Sequence, residues 1–280
     1  MALIKMNFLS QVLGMQTNIT VALPSFSFAD IVQGAQSYYV PGMKFQVLYL
    51  LHGGSGDDSD WVNFSSVLRY ADDNKLAIIM APAFNSSYVD MVHGGRYFTF
   101  FTEELPQVCQ AFFPISDKRE DTFIAGLSMG GNGAMRLALK RPDLYSQALC
   151  MSGAAFDVQE LKRRAAQPPF NTAGRIAMPD MEDTYGDLNA FEGSEEDMFF
   201  VAKRNLAQGK PMPKFYFACG GDDFALTTVR KAHEHLKSLG YDTQLEEIPG
   251  YGHEWDFWDL YIRKAIGELF PLIRKPILPN

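Results

Sequence analysis

The sequence predicts an α/β fold, a doubly wound and mostly parallel sheet with helices on both faces and an inserted cap-like segment. Three observations carry this expectation. Short apolar runs alternate with amphipathic stretches along most of the chain, the pattern that builds parallel sheets. Several runs end in glycine-rich or acidic turns, where open α/β sheets place their ligands. The rhythm breaks once, over residues 155–210, which hold Pro168, Pro169 and Pro179 among many acids and scattered aromatics.

In chain order, T-N-I-T-V-A-L-P alternates with Ile19, Val21 and Leu23 on one side, which predicts an antiparallel strand at a sheet edge. Phe45 to Leu51 is a short apolar run that ends in His52-Gly-Gly-Ser-Gly56, a buried strand entering a glycine-rich loop. Residues 61–73 read as a helix, and Leu76 to Ala81 as a buried strand stopped by Pro82. Glu103 to Phe113 reads as a helix with Thr102 as its cap and acids in the first turn. Strand Thr122–Gly126, helix Gly131–Lys140 and strand Gln147–Ser152 follow. After the 155–210 segment come strand Lys214–Cys219, a helix over 225–239, strand Thr243–Ile248 and an amphipathic helix over about 254–270.

Bulk properties narrow the function. A chain of 280 residues with 47% hydrophobic and 21% charged residues fits one packed domain, and no linker divides it. The net charge of -8 and a pI near 5.1 exclude a phosphate-tracking nucleic-acid binder. The one basic cluster, Lys162, Arg163 and Arg164, reads as a solvated helix face. The N-terminus lacks the features of a signal peptide, and no run reaches the ~18 apolar residues of a membrane span. Three scattered cysteines, Cys109, Cys150 and Cys219, make no disulfide framework. The cytoplasm is the expected address, with neither nucleic acid nor membrane as partner; a homo-oligomer is compatible with all of this.

Gly126-Leu-Ser128-Met-Gly130 matches the G-x-S-x-G nucleophile elbow. A serine on so tight a strand-to-helix turn is strained, and its neighbours two residues away must be tiny. With Gly and Ser each near ~7% of residues, chance gives the pentapeptide in roughly one chain in ten, so its flanks matter more than its letters. A strand precedes it and a small-residue helix follows, as the elbow requires; the competing reading is an ordinary glycine-rich turn with a capping serine.

A serine nucleophile needs a base. Of five histidines, His253 lies in P-G-Y-G-H-E-W between the last strand and the last helix, where an α/β-hydrolase carries it. His52 belongs to the loop beside Gly53 and Gly54, His233 and His235 read as surface positions on a helix, and His93 has no clear role. The base needs an acid. Asp222 and Asp223 both follow a buried strand, in the order Ser, Asp, His of this fold; the one not used is expected to cap the next helix. Oxyanion donors are expected at the Met129 N–H and, from the His52-Gly53-Gly54 loop, at Gly54. That loop carries two acids and no Walker lysine, which argues against phosphate. His52, Gly53, Trp61 and Trp255 are candidate pocket residues, with core packing the competing reading for the aromatics Trp61, Phe64, Trp255 and Trp258. No metal constellation is present in the sequence, Cys109 reads as a packing residue, and no cofactor is required.

These motifs resemble the esterase family that includes tributyrin esterase, esterase D and the feruloyl and acetyl-xylan esterases. The resemblance spans nearly the whole chain: YLLHGGSGDDSDW at 49–61, TEELP at 102–106, AGLSMGGNGAMRLAL at 125–139, SGA at 152–154, ACGGDDF at 218–224 and GHEW at 252–255. It is closest to tributyrin esterase. In these relatives the acid directly precedes the phenylalanine of the C-G-x-x-D-F stretch, which matches Asp223. Nucleophile and base match Ser128 and His253, and the oxyanion donors match Gly54 and Met129. Esterase D proper has a different loop in place of His-Gly-Gly, a departure that points away from a glutathione thioester. The resemblance implies hydrolysis of a small carboxylic ester, often of short acyl chain and sometimes on a sugar. The rival readings are acyl transfer to a sugar or alcohol, a peptidase, and a non-catalytic binding protein on the same fold. A histidine base predicts activity that rises through roughly pH 6–7.

Overall fold

Eight strands form one sheet in the order β1-β2-β4-β3-β5-β6-β7-β8. A computed structural model describes residues 1–32, 34, 39–166 and 180–279. The chain opens with β1 (Ala2–Ser10) and β2 (Met15–Leu23), an antiparallel hairpin, followed by the short α1 (Phe28–Val32). Then come β3 (Val47–Leu51), α2 (Asp60–Phe64), α3 (Val67–Asp73) and β4 (Ala77–Met80). A bent helical stretch follows, α4 (Tyr97–Thr99) passing through a π-helical turn into α5 (Leu105–Phe112). The centre is β5 (Thr122–Leu127), α6 (Met129–Lys140) and β6 (Gln147–Met151). Next are α7 (Val158–Ala165), α8 (Met181–Tyr185) and α9 (Met198–Ala207). The chain closes with β7 (Lys214–Gly220), α10 (Leu226–Ser238), β8 (Thr243–Ile248) and α11 (Trp255–Lys264).

From β4 to β8 all neighbouring strands are parallel, so their C-terminal ends share one edge. The central strands are apolar on both faces because both faces are covered. Val47, Tyr49 and Leu51 enter one core with α5, α6, α9 and α10, while Leu48 and Leu50 enter a second with α3 and α11. Each such side chain contributes about 1.5–3 kcal/mol by leaving water. The two cores clamp the sheet and hold its carboxyl edge rigid.

Four expectations are corrected here. The strand through Ile19 and Val21 is not at the edge: β1 covers it, with Ala2 opposite Leu23 and Ser10 opposite Met15. The 61–73 helix is two helices, broken at Ser65 and Ser66. The 103–113 helix begins earlier, so Thr102 caps nothing; it is buried in the π-helical turn and its hydroxyl donates to Phe98 O. Finally, α9 belongs to the body of the fold, with Met198, Val201 and Ala202 buried in the larger core. The described remainder of the 155–210 segment has its own small cluster, Leu161, Leu188 and Phe191. Pro168, Pro169 and Pro179 lie outside the described residues.

Candidate active site

The carboxyl edge gathers the loops in question. Ser128 follows β5 with φ 53° and ψ -117°, a strained conformation that a serine holds only when its surroundings enforce it. They do: a Cβ on Gly126 would stand 2.3 Å from Gly130 O, and one on Gly153 2.0 Å from Ser128 O. The elbow closes only because these positions carry no side chain.

His253, on the loop after β8, places Nε2 2.9 Å from Ser128 Oγ. Its Nδ1 lies 3.0 and 3.1 Å from the two oxygens of Asp223, on the loop after β7. An ionised carboxylate only accepts, so Nδ1 carries the proton and Nε2 accepts the serine hydroxyl. The Asp223 carboxylate has no solvent exposure. Burial alone raises its pKa, yet hydrogen bonds from His253, Ser152 and the Ala225 N–H outweigh that and hold it below the ordinary carboxylate range. Asp223 is therefore a buried acceptor with three donors.

Asp222 is exposed and does not cap α10, contrary to the expectation for the second aspartate; its N–H donates to Tyr251 O at 3.0 Å. The N-terminal bond beside that helix comes from Asp223 itself, whose Oδ1 accepts from Ala225 N–H at 2.8 Å.

A cavity of about 120 Å³ opens beside Ser128, and Gly54 and Met129 both border it. Met129 is the first residue of α6, so its N–H has no intrahelical acceptor. The Gly54 loop is braced from behind by His52. The buried His52 ring accepts from Ala83 N–H at 2.8 Å through Nε2 and donates to Gly53 O at 2.7 Å through Nδ1. Burial pushes its pKa down, so the ring stays neutral. Asn85 Oδ1 accepts from Ser55 N–H at 2.7 Å, a second brace.

The pocket expectation is corrected. His52, Gly53, Trp61 and Trp255 do not border the cavity. His52, Gly53 and Trp61 are buried behind it, with Trp61 Nε1 donating to Leu51 O at 3.0 Å. Trp255 packs edge-on against Trp61 and Trp258. The walls come instead from Asn132 of α6, from Phe224, and from Phe156, Arg164, Met181 and Thr184 of the 155–197 segment. Arg164, expected on a solvated face, lies over the Phe156 ring at 4.3 Å and pairs with Glu160.

Phe224 of the C-G-x-x-D-F stretch and Trp258, one of the four aromatics weighed between pocket and core, both flank the His253 ring. Phe224 lies 4.4 Å from His253 between ring centroids, and Trp258 packs edge-on against the same ring at 5.0 Å. Trp258 Nε1 donates to Ser152 Oγ at 3.0 Å, which leaves the single Ser152 proton for Asp223. The remaining histidines have packing duties. His233 is buried with Nδ1 3.1 Å from Thr243 Oγ1, and His235 Nε2 donates to Phe199 O at 3.0 Å, so neither is a free surface group. The exposed His93 meets Asp183. Cys109, Cys150 and Cys219 are buried and free, and burial pushes Cys109 and Cys219 up to about 12. Among the described residues no cluster of three or more His, Cys, Asp or Glu could hold a metal ion, and no helix is long and apolar enough to cross a membrane.

A parallel sheet with a serine elbow after a central strand, and an acid and a histidine on later loops, defines an α/β-hydrolase. The chain belongs to the esterase family whose model, described as "Putative esterase", matches residues 10–268, and it is a serine carboxylic-ester hydrolase. It is 33% identical over 270 residues to an acetyl esterase of Caldicellulosiruptor saccharolyticus, covering 95% of this chain and 97% of that one. Among solved structures it is similar to FphF, a fluorophosphonate-binding serine hydrolase of Staphylococcus aureus (TM-score 0.82, 30% identity, 95% and 97% of the two chains). It is also similar to the S-formylglutathione hydrolase FrmB of the same organism (TM-score 0.77, 30% identity, 95% and 97%).

Proposed function

We propose that the protein hydrolyses short-chain acyl esters, acetylated or feruloylated sugars among them, through a Ser128-His253-Asp223 triad and an acyl-enzyme. The observation that carries this reading is the unbroken relay of 2.9 and 3.0 Å from Ser128 through His253 to Asp223, ending at a small cavity. His253 takes the Ser128 proton as the hydroxyl attacks the ester carbonyl. The N–H groups of Met129 and Gly54 hold the oxyanion, each worth about 3 kcal/mol in the transition state. The alcohol leaves with the proton from His253, and water repeats the attack on the acyl-enzyme. Asp223 fixes the histidine tautomer and stabilises the imidazolium. No step calls for a cofactor.

The 155–197 segment supplies four cavity walls, which supports a role for it in specificity. A cytoplasmic address is compatible with three buried cysteines that form no disulfide with one another. A second reading, thioester hydrolysis, is favoured by the likeness to FrmB; S-formylglutathione assayed beside the oxygen esters separates the two. The test of the main reading is hydrolysis of p-nitrophenyl acetate, butyrate, octanoate and methyl ferulate by wild type and Ser128→Ala. Removing the serine is expected to cut kcat by a factor on the order of 10⁶. Equal activity in both proteins refutes Ser128, and a chain-length optimum at octanoate refutes the short-acyl assignment.

A further inference from the structure

The cavity is not an ordinary slot for a hydrocarbon. Asn132 sits one helical turn after the nucleophile, its backbone N–H donating to Ser128 O at 3.2 Å. Its side chain borders the cavity and is only 2% exposed, yet Oδ1 has no hydrogen-bond partner among the described residues. Nearly all buried acceptors in folded proteins are satisfied, and one left bare costs free energy. An orphan of this kind at the wall of a reaction cavity marks a place where the ligand supplies the missing donor.

The opposite side repeats the signal. Thr184 of α8 is buried at the cavity, and its hydroxyl proton is already given to Asp180 O at 2.9 Å. What remains on that oxygen is lone pairs, so toward the cavity it can only accept. Two residues from different elements, Asn132 of α6 and Thr184 of α8, thus border one space of about 120 Å³, each carrying an acceptor oxygen on its side chain. A plain alkyl group entering it displaces water and leaves both acceptors bare. A hydroxyl or amide N–H satisfies them.

We infer that Asn132 and Thr184 form a polar subsite selecting esters that carry a hydroxyl donor on the half that occupies the cavity. This rests on the esterase reading and deepens it. The donor can lie on the acyl half or on the alcohol half, and two matched pairs of substrates tell these apart. The acyl pair is p-nitrophenyl 3-hydroxybutyrate against p-nitrophenyl butyrate. The alcohol pair is 2-hydroxyethyl butyrate against propyl butyrate, nearly equal in size.

Wild type is expected to favour the hydroxylated member of one pair by about tenfold in kcat/KM, the scale of one satisfied against one bare buried acceptor. Asn132→Leu keeps the branched shape in a somewhat larger side chain and removes the polar amide, acceptor and donor alike. It is expected to bring that ratio close to one, a loss of discrimination within a matched pair that a general loss of activity, which lowers both members alike, does not produce. Thr184→Val provides the same reading from the other wall should the Asn132 variant fold poorly. No preference above twofold in either pair with wild type overturns the inference, and so does a preference that survives both substitutions. Failure of all four esters to turn over is a different result; it removes the short-acyl reading, and the subsite with it.

Discussion

Replacing Asp223 by asparagine tests the site where its logic is tightest. The carboxylate has no solvent exposure and accepts from His253 Nδ1, Ser152 and the Ala225 N–H. Asparagine keeps the shape but puts an NH₂ where one oxygen stood. To avoid two donors face to face, His253 moves its proton to Nε2, and Nε2 then cannot take the Ser128 proton across 2.9 Å. The corresponding exchange in a serine-protease triad costs about 10⁴ in kcat, or about 5.5 kcal/mol. The same loss is expected here, with KM within a few-fold because Asp223 does not border the cavity. The charge-assisted bonds lost also lower stability by about 1–3 kcal/mol. Asp222→Asn is the matched control: that side chain is exposed and outside the relay, so kcat should stay within twofold. The assay is steady-state hydrolysis of p-nitrophenyl butyrate, with urea unfolding of each variant. A value of kcat for Asp223→Asn within tenfold of wild type, or a large loss in Asp222→Asn, refutes the assignment.

Other outcomes follow from the same geometry. Ser152→Ala removes a donor to Asp223 and strands the Trp258 N–H, so kcat should fall by about tenfold, whereas Trp258→Phe, which keeps Ser152, should lose less; equal rates in all three proteins would exclude Ser152 as a positioning residue. Gly153→Ala puts a Cβ 2.0 Å from Ser128 O, backbone against backbone, and should destabilise by about 3 kcal/mol, lowering Tm by about 6 °C; a melt within 1 °C of wild type counts against the close approach. Burial depresses the pKa of both His52 and His233. The unfolded chain therefore binds protons near the ordinary histidine pKa that the folded chain refuses. Stability is full above that value and falls as pH drops from 7 toward 5, each histidine contributing at most about 1.4 kcal/mol per pH unit. Urea unfolding at pH 7, 6 and 5 measures this, and a flat profile would contradict it.

The parts of the site that the sequence reveals are those in which backbone geometry dictates residue type. Gly126 and Gly130 flank Ser128 because no side chain fits there, and three strand ends on one carboxyl edge bring Ser128, Asp223 and His253 together whatever the loops do in detail. What stays hidden depends on side-chain direction within irregular chain. Trp61 and Trp255 neighbour the site in sequence but turn into the second core, since the indole of Trp61 finds its acceptor at Leu51 O. Asn132 was legible in principle. It stands four residues after Ser128, on the same helical face, but lies among glycines and alanines that read only as close packing. The strand β1 was hidden for another reason. Its inward face, Ile4, Met6 and Phe8, is only half-buried, and Lys5 and Asn7 interrupt what looks like a failed apolar run rather than an edge strand with a solvated side.

Ser128, Asp223, His253 and the Gly54 loop are fixed by strands clamped between two cores, and by contacts such as Gly153 on Ser128 that tolerate no change. Four of the cavity walls, Phe156, Arg164, Met181 and Thr184, belong to a segment with its own cluster around Leu161, Leu188 and Phe191. That segment is tied to α6 through Glu196, which bridges Arg136 and, at 2.7 Å, Lys140. Arg136 is buried, so cutting the tie by Glu196→Gln leaves a buried cation without its counter-charge. The segment can then shift relative to α6 while the relay stays in place. The expected result is a change in KM and in the ranking of substrates at nearly constant kcat for the smallest ester, whereas a perturbation of the carboxyl edge lowers kcat for every ester alike.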